Sequence, residues 1–286
     1  MKRPQSRTSY ASRLNRVVDY IHAHLDDDLS IDRLAEIACL SPYHWSRIYA
    51  AMCGETVAAT VRRLRLQRAA DWLANSGMDI QAIAARAGYG SPDAFGRSFK
   101  EAFGQSPANY RESGSHAAFK SANAAGDEKG FAVTLLEMPE RRCAGVDHRG
   151  PYMQIDHAMG RLLTELAVQR NLPDPIEMIG LFFDDPGLTP PEALRSRACI
   201  PIGETDIIAV ALVETRLRGG LYARLNYTGP YADMSDAYRW FLGVWLPASE
   251  YEPDDAPVFE AYLNDPREVS QVELRTDIYL PLRAFA

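Results

Sequence analysis

Glu260 sits in the run Val258-Phe259-Glu260-Ala261-Tyr262, in a segment of chain that also holds Tyr227, Tyr231 and Trp240. A carboxylate among ring faces is costly to bury unless something compensates its charge. A lipophilic or aromatic cation would do so, and the rings would add cation–π attraction. Strand alternation puts Val258, Glu260 and Tyr262 on one face. The expected ligand-binding set is Glu260, Tyr262, Tyr152, Tyr231 and Trp240, with His148 beside the Gly150-Pro151 turn either lining a groove or closing a strand end. Two other readings compete. Glu260 could be the partner of Arg224 or Arg275 in a salt bridge, or it could act with Tyr152 or Tyr262 to assist attack by water. No Ser-His-Asp spacing or metal cluster accompanies these residues, so no catalytic residue, metal or cofactor is expected.

A second set of residues suits nucleic acid. Arg47 and Arg97 occupy the same place in two copies of one unit. The first copy reads Leu34-Ala35-x-x-Ala38-Cys39-Leu40, Ser41-Pro42, Trp45-x-Arg47-x-Tyr49 and Gly54. The second reads Ile83-Ala84-x-x-Ala87-Gly88-Tyr89, Ser91-Pro92, Phe95-x-Arg97-x-Phe99 and Gly104, offset by 49 residues before the turn and 50 after it, Gly90 being the extra turn residue. Ser at the N-cap and Pro at the first helical position start a helix in each copy. Two helices joined by so short a turn form a helix-turn-helix, whose second helix fits the major groove. Helix pairs also build solenoids, but those need about three stacked copies. Tyr43, His44, Ser46, Arg47, Arg97 and Lys100 are therefore the expected DNA contacts. Asp93, early in the second reader helix, favours its helix dipole over a base contact.

A single helical stretch, Thr56 to about Asn75, joins the copies and carries Arg62, Arg63, Arg65 and Arg68. At about 1.5 Å per residue it spans roughly 30 Å, close to the separation of successive major grooves on one DNA face. A charge run on a long helix is ordinarily a solvated face, with one or two of the four arginines reaching phosphate.

Residues 12–111 resemble the DNA-binding region of the AraC/XylS family of bacterial transcription regulators. The resemblance is carried by Ser41-Pro42-Tyr43-His44-Trp45-Ser46-Arg47, Ile83-Ala84-x-x-Ala87-Gly88-Tyr89 and the closing Phe99-Lys100-x-x-Phe103-Gly104-Gln105-Ser106-Pro107-x-x-Tyr110-Arg111. Most members carry this region at the C-terminus; here it comes first. The resemblance implies a double-stranded DNA operator, with RNA polymerase as a further candidate partner.

The second half has its own repeat. Gly150-Pro151-Tyr152 recurs as Gly229-Pro230-Tyr231, offset 79. The helix that follows buries Ile155, Ala158, Met159, Leu162, Leu163 and Leu166, echoed at the same offset by Met234, Ala237, Tyr238, Phe241, Leu242 and Trp245. Asp185-Pro186 recurs as Asp265-Pro266, offset 80, which sets Glu260 against Gly180 and Tyr262 against Phe182. Strands are expected at 131–137, 178–183 and 198–202, and again at 221–227, 258–263 and 278–282. They give two β-α-β-β units around a shared groove.

Residues 131–286 resemble the GyrI-like effector-binding fold of multidrug-responsive regulators. The carriers are His148-Arg149-Gly150-Pro151-Tyr152, Gly180 to Pro186, Phe259 to Pro266 and Thr276 to Leu282. The resemblance implies that Glu260 contacts cationic ligands. Some members of that family are hydrolases, which keeps an enzymatic reading open beside a third, a second domain that contacts only protein.

The expected organisation is multidomain: an all-α double helix-turn-helix domain over 10–112, a linker over 113–130 without apolar periodicity, and an α+β GyrI-like domain over 131–286. Of the formal charge of −7, residues 1–112 hold 15 basic and 12 acidic side chains (+3) and the remainder 16 and 26 (−10). That asymmetry suits one domain that meets phosphate and one that does not. The apolar run 207–213 is far short of the about 20 residues that span a membrane. No signal peptide is evident, and Cys39, Cys53, Cys143 and Cys199 lack metal spacing. Buried free thiols and a cytoplasmic location are expected.

Overall fold

The computed structural model describes residues 4–27, 29–113, 131–169 and 175–283. The expected linker therefore lies, but for Ser113, outside the described residues. Among the described residues the first domain has seven helices: α1 (Pro4–Ala23), α2 (Ile31–Ala38), α3 (Pro42–Cys53), α4 (Val57–Asn75), α5 (Ile80–Arg86), α6 (Pro92–Phe103) and α7 (Pro107–Ser113). Local chemistry sets their ends. Ser30, Thr56, Asp79 and Ser91 accept from free amides at the starts of α2, α4, α5 and α6. Ser41 holds the N-cap position of α3, but its hydroxyl makes no such bond. Gly54 and Gly104 end α3 and α6 in the left-handed conformation, at φ 77° and 74°, which glycine adopts without steric cost.

Two cores result, and α4 serves both. Leu34, Ala35, Ala38, Trp45 and Tyr49 of the first helix-turn-helix pack with Leu14, Val17 and Ile21 of α1 and with Leu64 of α4. Ile83, Ala84, Phe95, Phe99, Phe103 and Tyr110 pack with Leu66, Ala69, Ala70 and Leu73 of α4. The linker-helix arginines are mostly consumed in holding this arrangement. Arg65 donates to the carbonyls of Leu25 and Asp27, Arg68 pairs with Asp26 and lies over the Trp72 ring, and Arg63 pairs with Glu55 at 2.6 Å. Arg62 is the exposed one of the four.

The second domain is an eight-stranded antiparallel sheet in the order β1-β6-β8-β7-β3-β4-β2-β5. Its strands are β1 (Ala132–Met138), β2 (Arg141–Arg149), β3 (Met178–Phe182), β4 (Arg195–Pro201), β5 (Val213–Leu217), β6 (Gly220–Thr228), β7 (Val258–Tyr262) and β8 (Arg275–Pro281). The duplicated β-α-β-β unit is present as β2-α8-β3-β4 and β6-α9-β7-β8, with α8 at Ile155–Gln169 and α9 at Met234–Trp240, the latter running on into a π-helical turn at Phe241–Trp245. The first strand of the first unit is Arg141–Arg149 rather than 131–137. The latter segment is an added leading strand, and β5 is its counterpart.

The leading strands are exchanged: β1 pairs with β6 of the other unit, and β5 with β2. β1 and β2 stand far apart in the sheet order yet only two residues separate them in the chain, so the sheet must curl until its ends meet. They meet where Gly219 lies against the backbone of Pro139 and Glu140; a Cβ there would stand 2.8 Å from the Glu140 amide nitrogen. Among the described residues no helix is long and apolar enough to cross a membrane.

Candidate effector site and DNA interface

The register of the two central strands decides the site's geometry. Gly180 of β3 pairs directly with Glu260 of β7. These two residues are also equivalent in the repeat, so the local two-fold axis passes between them. Around that axis stand matched pairs: Tyr152 with Tyr231, Phe182 with Tyr262, and Met159 with Tyr238, all lining one cavity. Tyr152 meets Phe182 edge-on at 4.8 Å, and Tyr231 meets Tyr262 edge-on at 5.6 Å.

The two halves differ in polarity. In the first, the Tyr152 hydroxyl is tied to the backbone of Asp184, donating to its carbonyl and accepting from its amide. In the second, the Tyr238 and Tyr262 hydroxyls each donate to one oxygen of Glu260 at 2.7 Å. The Glu260 side chain is buried, and among the described residues no arginine, lysine or histidine forms an ion pair with it. Arg224 lies instead 3.8 Å from Asp277, so the salt-bridge reading does not hold for that arginine. Burial pushes the Glu260 carboxyl up to about 7, against the opposing pull of the two tyrosine hydrogen bonds.

Glu260, Tyr262, Tyr152 and Tyr231 thus share one cavity, but two other expected residues lie elsewhere. Trp240 is packed in the core between α9 and the sheet, edge-on to Phe131 at 5.7 Å. Two residues along a helix turn the side chain by about 200°, so Trp240 faces away from Tyr238. His148 lies buried on β2 with its Nδ1 2.9 Å from the Ser196 hydroxyl, outside the cavity lining. Tyr227 is likewise structural, donating to the Pro230 carbonyl at 2.6 Å. In the sequence Tyr238 reads only as a position on a helix's core face. Its repeat equivalence to Met159 marked a polar replacement on that face and was the available signal.

The cavity, of about 1200 Å³, lies between the domains. α1, α3 and α4 form one wall and the sheet with α8 and α9 the other. Direct contacts span the boundary. Arg267 donates to the carbonyl of Cys53 at the end of α3 at 2.6 Å, Gln67 to Gln271 at 3.4 Å, and His157 of α8 bonds Asp19 while stacking on His22 of α1.

On the reader, His44, Arg47, Arg97 and Lys100 are exposed and Ser46 is half-buried, on the sides of α3 and α6 opposite Trp45, Tyr49, Phe95 and Phe99. Tyr43 lies in the first turn of α3. Asp93 is exposed in the first turn of α6. Of the cysteines, Cys143 and Cys199 are buried, but Cys39 is exposed and Cys53 partly so. Cys39 ends α2 at φ 52°, where its side chain turns outward.

Residues 131–283 match the GyrI-like small molecule binding domain, and residues 34–113 match a helix-turn-helix domain model. The chain belongs to the GyrI-like family, joined to an AraC-type DNA-binding domain. Its GyrI-like region is similar in extent to a probable transcriptional regulator YgiV of Escherichia coli O157:H7, 32% identical over 152 residues, which are 52% of this chain and 95% of that one. The transcriptional regulator Rob of Salmonella typhimurium is 35% identical over 100 residues, so the chain spans only about a third, 35%, of that relative. A solved EcmrR–DNA complex aligns with 85% of this chain and 83% of that one at 12% identity and a TM-score of 0.48. Glu260 and its two phenols lie in the region matched by the GyrI-like model, and the arginines of α3 and α6 in the region matched by the helix-turn-helix model.

Proposed function

We propose that this AraC-type regulator senses a lipophilic cation in the cavity built around Glu260, and that Arg47 and Arg97 contact the operator. The observation that carries the first part is a buried carboxylate held by two phenols with no cationic partner among the described residues. Its two-fold frame gives the ligand a charged half at Glu260, Tyr238 and Tyr262 and an apolar half at Met159 and Phe182. The cavity wall also favours positive charge, with seven carboxylates against three arginines among its lining residues. The exposed placement of Arg47 and Arg97 at equivalent positions of α3 and α6 supports the second part.

The test is a calorimetric titration of the full chain with an aryl-trimethylammonium cation and its neutral carbon isostere. Glu260→Gln should weaken the cation by more than about tenfold and leave the isostere unchanged. An unchanged cation affinity in folded Glu260→Gln, or turnover of the ligand, overturns this reading. Arg47→Ala and Arg97→Ala should weaken operator binding, each costing about 1–3 kcal/mol where it reads a guanine. Wild-type affinity should fall as salt rises.

A further inference from the structure

The wall opposite Glu260 belongs to the DNA-binding domain, and it is not inert. One stripe of α4 (Thr60, Arg63, Gln67, Asp71 and Asn75) faces the cavity. Residues spaced by four share a helix face, which is why the linker helix that holds the two readers apart also presents a continuous polar strip to the ligand space. Met52 of the reader and Ile176, Leu242 and Leu263 of the sensor are large apolar side chains left exposed, and all four border this same cavity. A volume of about 1200 Å³ exceeds the roughly 300–1,000 Å³ of ordinary ligand pockets. The space therefore suits a large occupant that reaches from one wall to the other.

The charges on its wall separate into compensated and uncompensated groups. Glu55 is matched by Arg63, Asp184 by Arg195 and Asp265 by Arg267. Asp156 lies in the field of Arg63 and beside His22, and Asp185 is exposed. Arg239, the remaining cation of the wall, pairs with Asp236. Of the wall carboxylates that are not exposed, two are left without a cationic partner among the described residues: Glu260 in the sensor and Asp71 in the reader. The sole hydrogen bond of the Asp71 carboxylate there is from the Asn75 amide, at 2.8 Å. Burial raises its carboxyl above the usual range, as it does for Glu260.

We propose that the effector cavity is a two-domain site in which Asp71 is a second anionic anchor, and that its ligand is an elongated amphiphile carrying two cationic groups. The proposal rests on the reading of Glu260 given above. A ligand that satisfies both carboxylates ties the linker helix of the reader to strand β7 of the sensor, so its binding is coupled to how the two domains dock.

The test uses the full chain, an alkyl-trimethylammonium monocation, and bis-trimethylammonium alkanes of increasing chain length. One length should bind about tenfold or more tighter than the monocation. Asp71→Asn keeps an acceptor for Asn75; it should abolish that gain and leave the monocation unchanged. A length series without an optimum in the wild-type chain overturns the proposal without any variant being needed. So does a folded Asp71→Asn chain that keeps the gain. If monocation binding instead survives Glu260→Gln, the single-carboxylate reading fails, and the inference falls with it.

Discussion

Gly180 and Glu260 face each other across an antiparallel pair, where side chains stand about 4.5–5.5 Å apart and like charges repel. A second carboxylate at 180 would oppose the first, and its side chain would crowd the neighbouring rings. A Cβ on Gly180 would come within 3.0 Å of the Tyr262 hydroxyl oxygen and 3.1 Å of the Phe182 ring. The lone acid of the axis has its own pH signature. Its carboxyl is raised from 4.5 to about 7 in the folded chain, so the folded state holds its proton more tightly than the unfolded one. That contribution to stability is full below 4.5 and is lost as pH rises through 7. The loss is on the order of 3 kcal/mol and should vanish in Glu260→Gln. Cation affinity should run the opposite way, rising with pH to about 7 and then flattening, because the ligand needs the ionised form. Melting and calorimetry across pH 5–8 (about the window of the shift) test both signs.

The helix-turn-helix turns show how a repeated element can keep its shape with different residues. Cys39 and Gly88 are equivalent and both left-handed, at φ 52° and 79°. For a residue with a side chain this costs about 1–2 kcal/mol. Cys39→Gly should therefore raise reader stability by up to about 1 kcal/mol, allowing for glycine's greater freedom when unfolded. Gly88→Ala should be far worse, because its Cβ would fall 2.3 Å from the Arg65 guanidinium. Arg65 would then have to leave the Leu25 and Asp27 carbonyls, for a total of more than about 2 kcal/mol. Thermal melts of the two variants decide it.

These elements were largely legible in the sequence, since caps, turns and helix faces are local. Arg141–Arg149 does not read as a strand because arginines, Asp147 and His148 interrupt its apolar alternation; its buried residues are only Cys143 to Gly145 and His148. Trp240 reads as a site residue from aromatic content alone, and only the position of β7 shows that Tyr238 points at Glu260 and Trp240 does not.

At the scale of the molecule, the two repeats foretold two domains but not the space between them, which depends on how separately patterned surfaces dock. Among the described residues, the contacts from Arg267, Gln67 and His157 and the packing of Ala232 and Met153 onto the second reader core join the halves. A protease should cut first within 113–130, where the sequence lacks apolar periodicity. The fragments, near 12 and 17 kDa on the order of 110 Da per residue, should then elute together in gel filtration. First cleavage inside 131–283, or separate elution, contradicts this organisation.

The exchanged leading strands carry a consequence about ancestry. β1 finds its ladder partner only in the second unit, and β5 only in the first. A chain with one unit would have an orphan strand and an empty place for another. Two copies satisfy both through a two-fold axis. A single-unit precursor of such a fold would have to pair as a swapped homodimer, with one amino acid serving at both places held here by Gly180 and Glu260. In one polypeptide those places are free to differ, one as an acid and the other without a side chain. A fragment spanning residues 131–206 should accordingly sediment as a pair or remain unfolded; a stable monomer would contradict this descent.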